Sequence, residues 1–159
     1  MKPRCLIVDI DNTLLMSDTP PYKEEYEFEV NEFVKGIVKD YPYGDFTSVI
    51  LSTWRPARIR EKTIKELKSV GIFCSIRMLP VREMILYSDI PLFMNTYREN
   101  GKTFTWPRAK EENLKLIMKD YNVEMVIDDC SEAIEMYKSY GLNCLQVHKP
   151  LTKVNKSIK

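Results

Sequence analysis

The chain alternates short, nearly continuous apolar runs with longer stretches in which apolar positions recur every three or four residues. "RCLIVD" (4–9), "SVILS" (48–52), "IFCSI" (72–76), "MVID" (125–128) and "CLQV" (144–147) have the pattern of strands buried on both faces. The intervening stretches read as helices. Asn31 caps the first, with Phe33, Val34, Ile37, Val38 and Tyr41 along one face. The second starts at Pro56, turns Ile59, Ile64, Leu67 and Val70 inward, and stops at Gly71. The third begins near Arg108 and carries Leu114, Ile117, Met118 and Tyr121. Ser131 caps the fourth, which turns Ile134, Tyr137 and Tyr140 inward and ends at Gly141. This alternation predicts an α/β fold: three layers, with a five-stranded parallel sheet and helices on both faces.

Residues 78–106 break the alternation. "FMNTYRENGKTFTW" reads as a β-hairpin, because Asn100–Gly101 supplies the two positive-φ positions of a tight turn. The turn pairs Glu99 with Lys102, Tyr97 with Phe104 and Asn95 with Trp106, which gathers Phe93, Tyr97, Phe104 and Trp106 on one face. That face either packs onto the domain or forms a flap over a site. Residues 10–47 hold only a loop and one helix, too little for a large cap domain. The expected organisation is one domain over 1–149, a hairpin insert at 78–106, and a basic tail at 150–159.

Composition narrows the class. The 159 residues are 44% hydrophobic and 30% charged, as in a globular domain, and a net charge of +1 gives no global footprint for nucleic acid or membrane. Cys5, Cys74, Cys130 and Cys144 are widely spaced and His148 is the lone histidine, so free thiols are expected rather than disulfides or a zinc site. With no apolar leader and no run of membrane length, a cytoplasmic location without membrane attachment is expected.

In parallel sheets, ligands bind beyond the carboxyl ends of the strands. Those ends carry Asp9 and Asp11, then Ser52, Thr53 and Arg55, then Asp128 and Asp129, and the helix before the fourth strand opens with Arg108 and Lys110. No P-loop, dinucleotide fingerprint or Ser/His/Asp set is present. Four carboxylates meeting at one edge repel unless they hold a cation, and hard oxygen ligands suit Mg²⁺. A lysine and a hydroxyl beside such a metal suit a phosphoryl group, whose transition state spreads negative charge over its oxygens. An aspartate, already ionised, could attack phosphorus without a base.

"DIDNT" resembles the D-x-D-x-T motif of the haloacid dehalogenase (HAD) superfamily of phosphatases, and "STWRP", Lys110 and "VIDDCSEAIEMY" follow in that superfamily's order. "DIDNTLLMSDTPPY", "STWRP" and "KEENLKLIM…VEMVIDDCSEAIEMYKSYGLNCLQV" further resemble the 3′-phosphatase domain of bacteriophage polynucleotide kinase/phosphatase, over Cys5 to Val147. The resemblance implies a Rossmann-like HAD fold and a Mg²⁺-dependent hydrolase acting through an aspartyl phosphate. It implies that Asp9 is the nucleophile and Asp11 the general acid and base. Thr53, or Ser52 beside it, would be the phosphate-binding hydroxyl, and Lys110 would bridge Asp9 and the phosphoryl oxygens. Asp9, Asp129, Asp128 and Asp11, the last through its backbone carbonyl, would form the metal site. Asn12, Thr13, Arg55 and Arg108 would shape the loop or contact substrate. Two positions depart from the pattern: Thr19 where the family has arginine before its "PY" pair, and Pro107 where it has an aspartate. Both bear on the substrate. With too little chain for a large cap, the site is expected to be open, so a nucleic-acid 3′ end is the leading substrate, with a mononucleotide or small metabolite as alternative. A catalytically silent binding module is the reading from a different class.

Overall fold

The computed structural model describes residues 2–41, 47–76, 90–96, 98–99, 102–103 and 106–148. In chain order its elements are β1 (Arg4–Val8), β2 (Leu15–Met16), β3 (Glu29–Val30), α1 (Glu32–Asp40), β4 (Thr47–Pro56), α2 (Arg60–Ser69), β5 (Cys74–Ile76), β6 (Ile90–Asn95), β7 (Arg98–Glu99), β8 (Lys102–Thr103), α3 (Trp106–Asp120), β9 (Asn122–Asp128), α4 (Ser131–Ser139) and β10 (Cys144–Gln146). The main sheet runs β10-β9-β1-β4-β6-β5, and every pairing in it is parallel.

The alternation of side chains along each strand divides the core into two layers. Leu6 and Val8 of β1, Val49 and Leu51 of β4 and Ile127 of β9 point to one face, where Val34 and Val38 of α1 and Leu67 of α2 cover them. Cys5, Ile7, Ile50 and Val126 point to the other, under Leu114 and Ile117 of α3 and Ala133 and Tyr137 of α4. This is the three-layer α/β arrangement that continuous apolar strands require.

All five expected strands are in the sheet, and β6 is a sixth, inserted between β4 and β5. Phe93 therefore belongs to the central sheet, not to a hairpin face. The β7–β8 pair is antiparallel, with Glu99 opposite Lys102, the pairing expected from the sequence; Asn100 and Gly101 lie outside the described residues. Tyr97 and Phe104 lie outside the described residues, as does the tail 150–159, and Trp106 opens α3. The antiparallel pair of β2 and β3 was not visible in the apolar pattern, since each strand has only two residues.

Helix ends follow local chemistry closely. Asn31 Oδ1 accepts from the Val34 amide, and Gly71 and Gly141 take the positive φ that follows a helix end. Three local expectations change. Pro56 ends β4, and α2 starts at Arg60 after a 3-10 turn at Ala57–Ile59. Ser131 is inside α4; the preceding turn is closed by Asp128 Oδ1, which accepts from the Cys130 amide at 3.0 Å. Phe33 is 68% exposed, and Tyr140 is exposed as well. All four cysteines are free. Among the described residues no helix is long and apolar enough to cross a membrane.

Candidate active site

The carboxyl ends of β1, β4 and β9 and the first turns of α3 meet at one edge of the sheet. There they line a pocket of about 380 Å³ together with the 15–21 segment. Asp9 follows the last residue of β1. Its amide donates to the Ile127 carbonyl at 2.9 Å, which fixes it against β9, and its side chain is buried. The chain then folds back: the amides of Leu14 and Leu15 both donate to the Ile10 carbonyl, and Asn12 adopts φ 59°. Asparagine tolerates that left-handed conformation better than most residues, and its Oδ1 holds the Ser17 amide at 3.1 Å. This turn brings the buried Thr13 hydroxyl to 3.0 Å from Asp9 Oδ2 and 3.4 Å from Asp129 Oδ1.

Lys110 reaches the same point from α3. Its Nζ lies 3.2 Å from Asp9 Oδ1 and 2.7 Å from Asp128 Oδ2, in a buried setting. Burial alone would lower its pKa, but Asp9 and Asp128 outweigh this and hold the ammonium above its ordinary value. Asp9, Asp128 and Asp129 each offer an oxygen, all within 4.8 Å of one another, so the set could hold a metal ion. One ammonium does not neutralise three carboxylates. Burial raises the Asp9 pKa well above the ordinary range, with Asp128 and Asp129 adding repulsion against Lys110. Asp129 is raised too, first by burial and then by Asp128, against its hydrogen bond with Asp9.

Asp11 is handled differently. Its carboxylate turns to Arg55, which donates from Nε at 3.0 Å and from Nη2 at 2.7 Å. Arg55 is fully buried and does not line the pocket. Its remaining N–H groups reach Tyr26 Oη at 2.9 Å, Thr63 Oγ1 at 3.1 Å and Glu66 Oε1 at 2.7 Å. The structure thus places Arg55 behind Asp11 rather than at the pocket surface expected of a phosphate contact. The reason is β4, which continues in the sheet to Pro56 and carries the motif inward.

Ser52 and Thr53 are also buried and do not line the pocket. Ser52 Oγ accepts from Asn113 Nδ2 at 3.2 Å and bonds the Tyr137 hydroxyl, while Thr53 Oγ1 accepts from the Arg55 amide at 3.1 Å. Arg108 is exposed on the first turn of α3, away from the pocket lining. The pocket gathers Asp9, Asp11, Asn12, Lys110 and Asp129, and Asp128 and Thr13 stand directly behind. Thr19, which the resemblance sets where the family has arginine, lines it.

Sequence reasoning missed Tyr26, Thr63, Glu66 and Asn113. A signal existed for two of them: Thr63 and Glu66 are polar residues three apart on the inward side of α2, flanked by the inward Ile59 and Val70. Lys62, next to Thr63, donates to the carbonyls of Pro21 and Lys23 and ties the loop after β2 to α2.

Comparison with known proteins agrees with this geometry. A chain in the structure of the Pnkp1/Rnl/Hen1 RNA repair complex shares the fold with a TM-score of 0.68 at 22% identity, covering 92% of this chain and 43% of that one. A chain in a structure of the Pnkp1/Rnl/Hen1 complex matches with a TM-score of 0.66 at 25% identity, covering 92% and 46%. The present chain thus spans less than half the length of these solved chains. The family described as the polynucleotide kinase PNKP phosphatase domain matches residues 3–150 of the 159, so the chain belongs to that family and is a phosphatase domain of HAD type.

Proposed function

We propose that this domain is a Mg²⁺-dependent phosphomonoester hydrolase that works through an aspartyl phosphate on Asp9 and removes the phosphate from polynucleotide 3′ ends. The observation that carries the reading is the cluster of Asp9, Asp128 and Asp129 around Lys110, within and just behind the pocket wall. The donor set fits the metal: three carboxylates against one ammonium leave a surplus of negative charge on hard oxygen atoms. Asp9, Asp129 and Asp128 would hold the ion, with the backbone carbonyl of Asp11 as a further donor. When bound, Mg²⁺ supplies neutralising charge for the carboxylates and the phosphoryl oxygens.

The chain's own residues do the rest. Lys110 offsets the repulsion between the Asp9 carboxylate and an approaching phosphate, and Thr13 fixes the carboxylate's direction. An Asp9 oxygen bonds to phosphorus as the bond from phosphorus to the 3′ oxygen breaks, and Asp11 gives that oxygen a proton. Asp11 then takes a proton from water, whose oxygen attacks phosphorus and breaks its bond to Asp9. Arg55 aims Asp11 at both steps.

Between β1 and β4 the described residues form only a two-stranded ribbon and one helix. Nothing there amounts to a large cap, which supports a substrate as large as a nucleic-acid end. The test is phosphate release with Mg²⁺ from a 3′-phosphorylated oligonucleotide, from mononucleotides and from an aryl phosphate, with Asp9→Asn as control. We expect fastest release from the oligonucleotide and none with the variant. Release from mononucleotides alone would make the domain a nucleotidase; no release from any substrate would refute the reading.

A further inference from the structure

Trp54 sits where β4 loses register with its neighbour. Ser52 pairs with Phe93 and Pro56 with Asn95, so β4 runs through two more residues than β6 over the same interval. Irregularities of this kind re-aim side chains. Here Thr53 and Arg55 go inward, while Trp54 stays 37% exposed and lines the pocket with Asp9, Asp11 and Lys110. Among the described residues it joins neither of the two packed core clusters. A large ring kept out of the core and set beside the acids has the surface to receive another flat ring.

The rest of that wall is fastened to the same unit of structure. Pro20 and Pro21 line the pocket, and Lys62 of α2, the helix that follows Trp54, donates to the carbonyls of Pro21 and Lys23. Lys62 Nζ also lies 5.0 Å from the centre of the Tyr26 ring, and Arg55, next to Trp54, lies 5.4 Å from it on the guanidinium carbon. Loop, strand end and helix are therefore held together, and Trp54 does not stand on a loose edge.

We propose that Trp54 is the platform on which the base of the phosphate-bearing terminal nucleoside stacks while its phosphate reaches Asp9. The inference rests on the phosphatase reading above and names its substrate class: a phosphate ester one sugar away from an aromatic base. Every base has a π-face, so such a platform favours nucleotide ends over base-free phosphate esters without reading sequence.

Two measurements test it, one of them independent of turnover. Trp54 emission, isolated as the difference between the Asp9→Asn protein and the same protein with Trp54→Phe, is followed while a 3′-phosphorylated oligonucleotide is added. The titration is repeated with an oligonucleotide whose 3′-phosphorylated terminal residue is abasic. We expect quenching by the first and little by the second. In kinetics, the preference in KM for the base-bearing end should be roughly tenfold, should collapse toward unity in Trp54→Ala and should largely return in Trp54→Phe. Equal quenching by both ligands, or an unchanged preference in Trp54→Ala, overturns the proposal. Hydrolysis without base preference would overturn it and leave the phosphatase reading intact. Base-selective quenching without phosphate release would do the reverse.

Discussion

A guanidinium with no exposed surface persists only because its five N–H groups have acceptors, and Arg55 finds them in Asp11, Tyr26, Thr63 and Glu66. Burial would lower its pKa, but the hydrogen bonds and charge of Asp11 raise it further, so it stays ionised. Replacing it with alanine strands Glu66 and releases Asp11. We expect Arg55→Ala to cost about 3–5 kcal/mol in urea denaturation, as for a broken buried ion pair. Arg55→Lys keeps the charge but not the fork. Its kcat should fall roughly tenfold or more, with a smaller loss of stability, because Asp11 is no longer held from two sides. At this scale the sequence showed the acids and Lys110, since their order along the chain and their places at strand ends are one-dimensional facts. It did not show where Arg55 points. Its partner Tyr26 is 29 residues away, and the inward spacing of Thr63 and Glu66 on α2 does not say which cation they meet.

Elements were legible where periodicity and end signals agreed. The five apolar strands, the Asn31 cap and the glycines after α2 and α4 met both tests, whereas the helix starts read at Pro56 and Ser131 did not hold. We expect Asn31→Ala to lower stability by about 1 kcal/mol without affecting phosphate release. Strand β6 was hidden because Phe93 to Asn95 read as the first arm of the hairpin, and the strand also holds Pro91, a residue that argues against an interior strand. It is tolerated because β4 pairs with β6 only from Leu92 onward, so Pro91 faces β5 alone. At the other end of the sheet, Tyr41 follows α1 and donates its hydroxyl to Glu124 of β9. Burial, then that hydrogen bond, raises its pKa from 10.0 to about 12; burial, then Glu124, raises the Cys5 thiol from 9.0 to about 12. In both groups folding favours the protonated form. Their contribution is complete below the unfolded value and is lost as pH rises toward the folded one. Urea midpoints should therefore fall between pH 9.0 and about 12, and Tyr41→Phe should flatten the decline above pH 10.0. A decline of unchanged slope in Tyr41→Phe would show that the hydroxyl is not responsible.

For the whole molecule, the acids gathered at the site also weigh on the fold. Asp9, Asp128 and Asp129 crowd one ammonium, so the Mg²⁺ proposed for the site should stabilise the domain when it binds. A hundredfold excess of Mg²⁺ over its Kd should add about 2.7 kcal/mol, seen as a rise in Tm, and Asp129→Asn should lose most of that rise. In the proposed reaction, phosphate passes through Asp9. Its most direct measurement is a rapid acid quench of turnover on a 3′-phosphorylated oligonucleotide, followed by borohydride, which reduces an acyl phosphate to the alcohol, and by peptide mass spectrometry. We expect aspartate 9 to be converted to homoserine in a substrate-dependent way and to find no such product in Asp9→Asn. Turnover with no reduced residue, or with the reduction at Asp11 or Asp129, would contradict the account.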